Sequence, residues 1–381
     1  MTHRILEGVR VLDFTQVVAG PLCTRMLADM GAEIVKIDRI PDTGAGPVRS
    51  NGSVATNLGK RSIALDLDRP EAVEVARALA ADADVVIENF RPGVMDAFGL
   101  GWGDLSAGHG RLIYASISGF GQTGLERERR AYGATAHAEA GLLWVQQQAH
   151  SDGEPLAPGI TVADIVTGMN AFSAILAALY DREHTGRGQR IDVTLMESQL
   201  AMLFEVAHAP LNQPEASWAP FRHPVYAAKD GHITLNPGPA YNWPRIAAGL
   251  GHPEVEGPPP PNQREVTASW VAERTLEEID EGLRTSNVAY GIVRSMPELL
   301  QEPYLHERGM IEEVDDVLDG TVRVVASALH MSEADNRPGG PAPLAGQHTR
   351  DLLAELLRYD DAAIDALLAS GAAGEQGVPP R

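Results

Sequence analysis

The 381-residue chain is 44% hydrophobic, 22% charged and 5% aromatic, the balance of a globular protein with material for two or three domains. Its 52 acidic against 31 basic residues give a formal charge of −21, which argues against nucleic acid or an anionic membrane as the main partner. Any anionic ligand therefore requires a locally basic pocket, and the single cysteine, Cys23, rules out an internal disulfide framework and suits a reducing cytoplasm.

The opening MTHRILEGVRVLDFTQ lacks the apolar core of a signal peptide and predicts a first strand over 9–14. Helix 22–30, strands 33–37 and 62–66, helix 70–81 and strands 85–88 and 112–116 follow. This alternation is the signature of a parallel sheet wrapped by helices, so the fold class is α/β. Such sheets bind ligands at the carboxyl ends of their strands, which directs attention to segments 15–21, 38–39, 89–93 and 118–124. GFGQTG at 119–124 has neither the GxGxxG spacing nor the lysine of a phosphate loop and reads as a flexible loop near a site. NFRPG at 89–93 is either an ordinary Pro-Gly turn or a pair of ligand contacts from Asn89 and Arg91.

GITVADIVTGMN at 159–170 places Asp164 at the head of an apolar helix predicted over 165–180, which is short for a bilayer span. Spacing alone makes Asp164 a helix N-cap; the same first-turn N–H groups would also favour a reactive anion there. Beyond a helix near 197–209, Pro and Gly become frequent. Strands 225–228 and 232–235 flank the hairpin signal Asp230-Gly231, and helix 243–250 precedes the proline run Pro258–Pro261. Segments 266–285 and 296–301 read as helical and 322–328 as a strand. Residues 215–325 thus form a smaller α+β domain, and 338–349 is a linker returning to helices 350–358 and 361–370. Residues 1–214 and 326–381 together form the large domain. There is no clustered His/Cys spacing that calls for a metal.

The segments GVRVLDFTQVVAGPLCTRMLADMGAEIVKIDR, GKRSIALDL, DVVIENFRPG, YASISGFGQTG and ADIVTGMNAFSAILAALYDREHTGRGQRIDVTLMES, with LAGQHTRDLLAEL near the end, resemble the class III coenzyme A transferases, also called the CaiB/BaiF family. The resemblance implies a Rossmann-like large domain formed by both chain ends, a small domain between them, and an interlinked homodimer. Its active site is expected between the large domain of one subunit and the small domain of the other. It also implies acyl-CoA and a carboxylic acid as substrates, and Asp164 as the nucleophile that forms aspartyl anhydride and aspartyl-CoA thioester intermediates. CoA-binding positions carried over are Val18, Ala19, Arg39, Leu65, Asp68, Asn89, Phe90, Arg91, Arg130, Ala131, Tyr132 and Gly133. Asp68 departs from the lysine often found there, and on composition alone each arginine is a solvated surface charge. Lys60 and Arg61, in the KRS motif, read equally as structural or as phosphate contacts.

Candidate substrate-site positions are Gln16, His137 and the loop Pro237, Gly238 and Pro239, which matches a glycine-rich shielding loop but is stiffer. His137 stands where glutamine is more frequent and reads as a packed histidine or a hydrogen-bond donor near the site. The racemase branch of the family uses a histidine at the position of Tyr132 and an acidic residue at that of Gly133. Their absence favours CoA transfer over the alternatives, a racemase-like isomerase and a non-catalytic CoA-binding homologue.

Overall fold

The computed structural model describes residues 3–42, 47–50, 54–149, 153–213, 224–236 and 240–376. Strands β1 (Arg10–Asp13), β2 (Glu33–Asp38), β3 (Arg61–Leu65), β4 (Val85–Glu88), β5 (Ile113–Ser118) and β6 (Arg190–Thr194) run parallel in the spatial order 3-2-1-4-5-6. Residues Ala373–Gly374 add an antiparallel edge beside β3, giving a seven-stranded sheet among the described residues. In this order the winding reverses between β1 and β4, which opens a crevice above their carboxyl ends.

The strands are apolar on both faces because both are covered. Leu12, Val35, Ile63 and Val86 pack with Val75 and Leu79 of the Pro70–Ala81 helix and with Leu352 and Leu353 of the Thr349–Leu357 helix. Their neighbours Val11, Ile34, Val85 and Ile87 turn to the other face. There they meet Cys23 and Leu27 of the Ala19–Asp29 helix and Ala171 and Ile175 of the Val162–Thr185 helix. Each fully buried aliphatic side chain of this kind contributes roughly 1.5–3 kcal/mol.

The Val162–Thr185 helix, 24 residues long, exceeds the predicted 165–180 and is long and apolar enough to cross a membrane by length and composition. Its contribution to the second core accounts for much of that apolar character. A Cβ on Gly168 would lie 2.6 Å from the Ala19 carbonyl oxygen, so this glycine lets the helix cross the Ala19–Asp29 helix backbone to backbone. Asp164, moreover, is not the N-cap: the helix starts at Val162 with Thr161 as its cap residue, which puts Asp164 at the third helical position.

By contact density the chain forms two units, Met1–Trp218 with Glu307–Arg381, and Ala219–His306. The second unit carries an antiparallel sheet of β7 (Val225–Ala227), β8 (His232–Leu235) and β9 (Tyr290–Ile292) on a core of Ile233, Trp243, Ile246 and Leu283. The helix predicted over 266–285 is two helices, Gln263–Ala272 and Leu276–Thr285. The Thr275 hydroxyl accepts the Glu278 N–H and the Glu278 carboxylate accepts the Thr275 N–H, a capping box that restarts the helix.

In the first unit, β10 (Ile311–Asp316) and β11 (Gly320–Val325) form a hairpin, although the sequence reading carried the small domain on to 325. Arg49 ties it there, donating to both Asp316 carboxylate oxygens at 2.8 Å.

Candidate active site

The crevice is built on a buried ionic knot at the end of β1. Asp13 Oδ1 accepts the Thr15 N–H at 2.8 Å and the Thr15 hydroxyl at 2.5 Å, while Oδ2 accepts the Thr24 hydroxyl at 2.6 Å and Lys60 Nζ at 3.2 Å. Lys36 Nζ donates to the Thr15 carbonyl at 2.5 Å. Burial alone would push the Asp13 carboxyl up; Lys36, Lys60 and the two hydroxyls more than reverse this and hold it far below the usual carboxylate range. Lys60, lowered to about 8 by burial against the pull of Asp13, is fully enclosed and also bonds the Pro21 carbonyl and Asn57. Its role is structural. Arg61 likewise pairs with Glu33 and Glu355.

This knot fixes the turn that enters the Ala19–Asp29 helix. The Gln16 N–H donates to Asn89 Oδ1 and Asn89 Nδ2 returns a bond to the Gln16 carbonyl, both at 2.8 Å, so Asn89 laces the ends of β1 and β4 together. Next to it Val17 is held at φ +70°, a costly conformation for a β-branched residue, and is 55% exposed. No pattern in the sequence marks that strain.

Above the strand ends lies a cleft of about 470 Å³ lined by ten of the expected residues: Gln16, Ala19, Arg39, Asn89, Phe90, Arg91, Arg130, Ala131, Tyr132 and Asp164. A second cavity of about 440 Å³ has Leu65 and Asp68 in its wall and shares Gln16, Arg39 and Phe90 with the cleft. Val18, Gly133 and His137 line neither cavity, and Val17 faces the cleft where Val18 was expected. Pro237, Gly238 and Pro239 lie outside the described residues.

The sequence reading missed Arg127 and Arg129 on the same cleft, for which the arginine-rich run after the glycine loop was the available signal. Both are engaged, Arg127 with Glu128 and Arg129 with Glu139 and Glu126. Arg39, Arg91 and Arg130 have no ion-pair partner among the described residues. On a chain so acidic, that makes the cleft a local reserve of positive charge.

Asp164 meets this cleft from the first turn of its helix. Burial raises its carboxyl above the ordinary value, opposed by its own backbone N–H and by His137. On its other side the absence of a side chain at Gly133 leaves room for it: a Cβ there would stand 2.1 Å from Asp164 Oδ2 and displace the carboxylate. Among the described residues lining the cleft, Asp164 is the only carboxylate and there is no imidazole. A partly desolvated carboxylate facing arginines is suited to attack an electrophile carried by an anionic molecule. Returning an α-proton to the opposite face of a substrate needs a second base, and the described cleft lining holds no second carboxylate or imidazole.

The family model described as CoA-transferase family III matches residues 6–349. The succinyl-CoA:glutarate CoA-transferase of Mus musculus is 34% identical, over 96% of this chain and 89% of that protein. The succinyl-CoA:mesaconate CoA-transferase of Haloarcula hispanica is 32% identical, over 92% of this chain and 96% of that protein. Among solved structures, a CaiB/BaiF family protein from Brucella suis superposes with a TM-score of 0.79 at 26% identity, covering 93% of this chain and all of that one. The chain therefore belongs to CoA-transferase family III, enzymes that move coenzyme A between an acyl-CoA and a carboxylic acid.

Proposed function

We propose that Asp164 is the nucleophile of this transferase and that short dicarboxylic acids are its donor and acceptor. The observation that carries the reading is the desolvated Asp164 carboxylate on a cleft whose arginines 39, 91 and 130 lack ion-pair partners among the described residues. A carboxylate oxygen of Asp164 attacks the thioester carbonyl carbon, the C–S bond breaks, and an aspartyl anhydride and CoA thiolate result. A thiol ionises near pH 8.5, so the thiolate leaves without a proton and the site needs positive charge more than a general acid. The thiolate then attacks Cγ of Asp164 and releases the donor acid, leaving an aspartyl-CoA thioester. The acceptor carboxylate attacks the same carbon, CoA thiolate departs again, and its return to the new acyl carbonyl frees Asp164 and gives the product acyl-CoA.

In this reading the adenine end of CoA occupies the cavity beside Leu65 and Asp68, with Arg39 and Phe90 at its junction with the cleft. Because Asp68 offers no positive charge, the phosphates fall to Arg39, Arg91 and Arg130. Gln16, Val17, Ala19, Ala131 and Tyr132 of the cleft wall frame the thioester. The names of the glutarate and mesaconate relatives support dicarboxylates. A homodimer is part of the proposal, supported by exposed Met169, Tyr180, Leu200, Phe204 and Leu211 on neighbouring helices. The single, buried Cys23 supports a reducing cytoplasmic setting.

The test is direct. Incubated with succinyl-CoA and no acceptor, the protein gains a hydroxylamine-sensitive mass on the peptide that contains Asp164. An adduct on any other residue, or turnover of substrate with none formed, sinks the assignment. A second expectation concerns the seat of the carboxylate: Gly133→Ala displaces Oδ2 and lowers kcat by about 10²-fold with KM for acyl-CoA little changed. A variant with native kcat would show that the carboxylate has no such seat.

A further inference from the structure

The first turn of the Asp164 helix is held from outside. First-turn N–H groups have no partner within a helix, and Thr161 makes no side-chain cap hydrogen bond. The N–H of Ala163, one residue before Asp164 and itself fully buried, donates instead to His137 Nε2 at 3.1 Å. His137 sits on the Gly133–Glu139 helix, is 5% exposed, and does not reach the cleft. The Gly133–Glu139 helix thus serves Asp164 twice, leaving room for its carboxylate at Gly133 and holding the preceding amide through His137.

For Nε2 to accept, it must carry no proton, which fixes the imidazole as the neutral tautomer protonated at Nδ1. Burial favours that state and lowers the His137 pKa below its ordinary value, against the opposing pull of Asp164. Other charged groups on the elements packed nearby are Glu139 with its partner Arg129, Glu197 on the Leu195–Met202 helix, and Asp181, Arg182 and Glu183 at the far end of the Asp164 helix; the Leu142–Ala149 helix carries none. Protonation would turn the acceptor into a donor facing another donor and release the Ala163 amide.

We propose that His137 is a positioning residue for the transfer reaction: by accepting the Ala163 N–H it fixes the first turn of the Val162–Thr185 helix and so aims the Asp164 carboxylate into the cleft. The inference rests on Asp164 being the nucleophile. A glutamine side chain can fill the same role, since it too offers one acceptor at similar reach. Only the histidine adds a response to pH.

The experiment compares His137→Gln and His137→Leu with the native protein. His137→Leu lowers kcat about tenfold with KM for acyl-CoA within about twofold, and the amides at residues 162–165 exchange with deuterium about tenfold faster. His137→Gln restores both to within about threefold. Below about pH 6.5, native kcat and first-turn protection fall more steeply than those of His137→Gln. Native kcat in His137→Leu overturns the proposal, as does unchanged amide exchange or an acid-side fall equally steep in His137→Gln. If His137→Leu does not fold, the pH comparison of native protein with His137→Gln decides alone. Exchange is measured on the resting protein, so absence of an Asp164 adduct would overturn the nucleophile while exchange still reports whether His137 holds the turn.

Discussion

Under the proposed mechanism Asp164→Asn transfers CoA about 10⁴-fold more slowly than the native chain, because the amide cannot supply the nucleophile and no other described residue lining the cleft is a carboxylate. Initial rates with succinyl-CoA and glutarate measure the loss, with intact mass excluding deamidation back to Asp. A variant within tenfold of native would remove Asp164 from the chemistry. Stability moves differently. Burial raises the Asp164 pKa, so the ionised carboxylate is disfavoured in the folded state relative to the unfolded one. The Asn variant should therefore melt no lower than native at pH 7, and a clear drop would count against that account. The rate of adduct formation in the native protein falls as pH drops through the raised pKa, since only the carboxylate attacks.

Asp13→Ala destabilises the fold by about 3–5 kcal/mol, the usual cost of leaving a buried charge unpaired, here Lys60 with Lys36 close by. Denaturant unfolding at pH 7 measures it. Asp13→Ala combined with Lys60→Met recovers part of the loss because the orphaned ammonium is gone; a single-variant cost below about 1 kcal/mol would show that the lysines find other partners. The sign with pH follows from the depressed folded pKa. The contribution of Asp13 is present above the ordinary carboxylate value and is lost as pH falls toward the folded one. The same variant loosens the Thr15 turn, and with it the Gln16–Asn89 lacing of the cleft.

The parallel sheet was readable because β1 to β5 are short apolar runs bounded by turn residues, and Pro70 and the Asp230-Gly231 pair mark their elements directly. β6, Arg190–Thr194, was missed although Arg190, Asp192 and Thr194 alternate with Ile191 and Val193, the period-2 signal of a half-buried strand. β10 offers no such signal: IEEVDD carries four acidic residues in six and neither an apolar run nor strict alternation. Family motifs led to the cleft residues. They did not show that Asn89 spends its side chain on Gln16, that Lys60 is sealed beneath the turn, or that Val17 faces the cleft in place of Val18. Those outcomes depend on contacts between segments far apart in sequence, for which a motif carries no signal. His137 illustrates the point: its partner, Ala163, has no polar side chain to advertise the bond.

The edge of the main sheet is completed by Ala373–Gly374 pairing with β3, about 300 residues upstream. During synthesis the strands around the cleft emerge early, yet β3 waits with an open edge until the segment at Ala373–Gly374 has left the ribosome. The unit Ala219–His306, with its own core, emerges in the interval and can consolidate first. Closure of the large unit is then a late, long-range event, slow by the entropy of joining distant segments. Until it happens, the exposed β3 edge is the place where a nascent chain is most open to pairing with another copy.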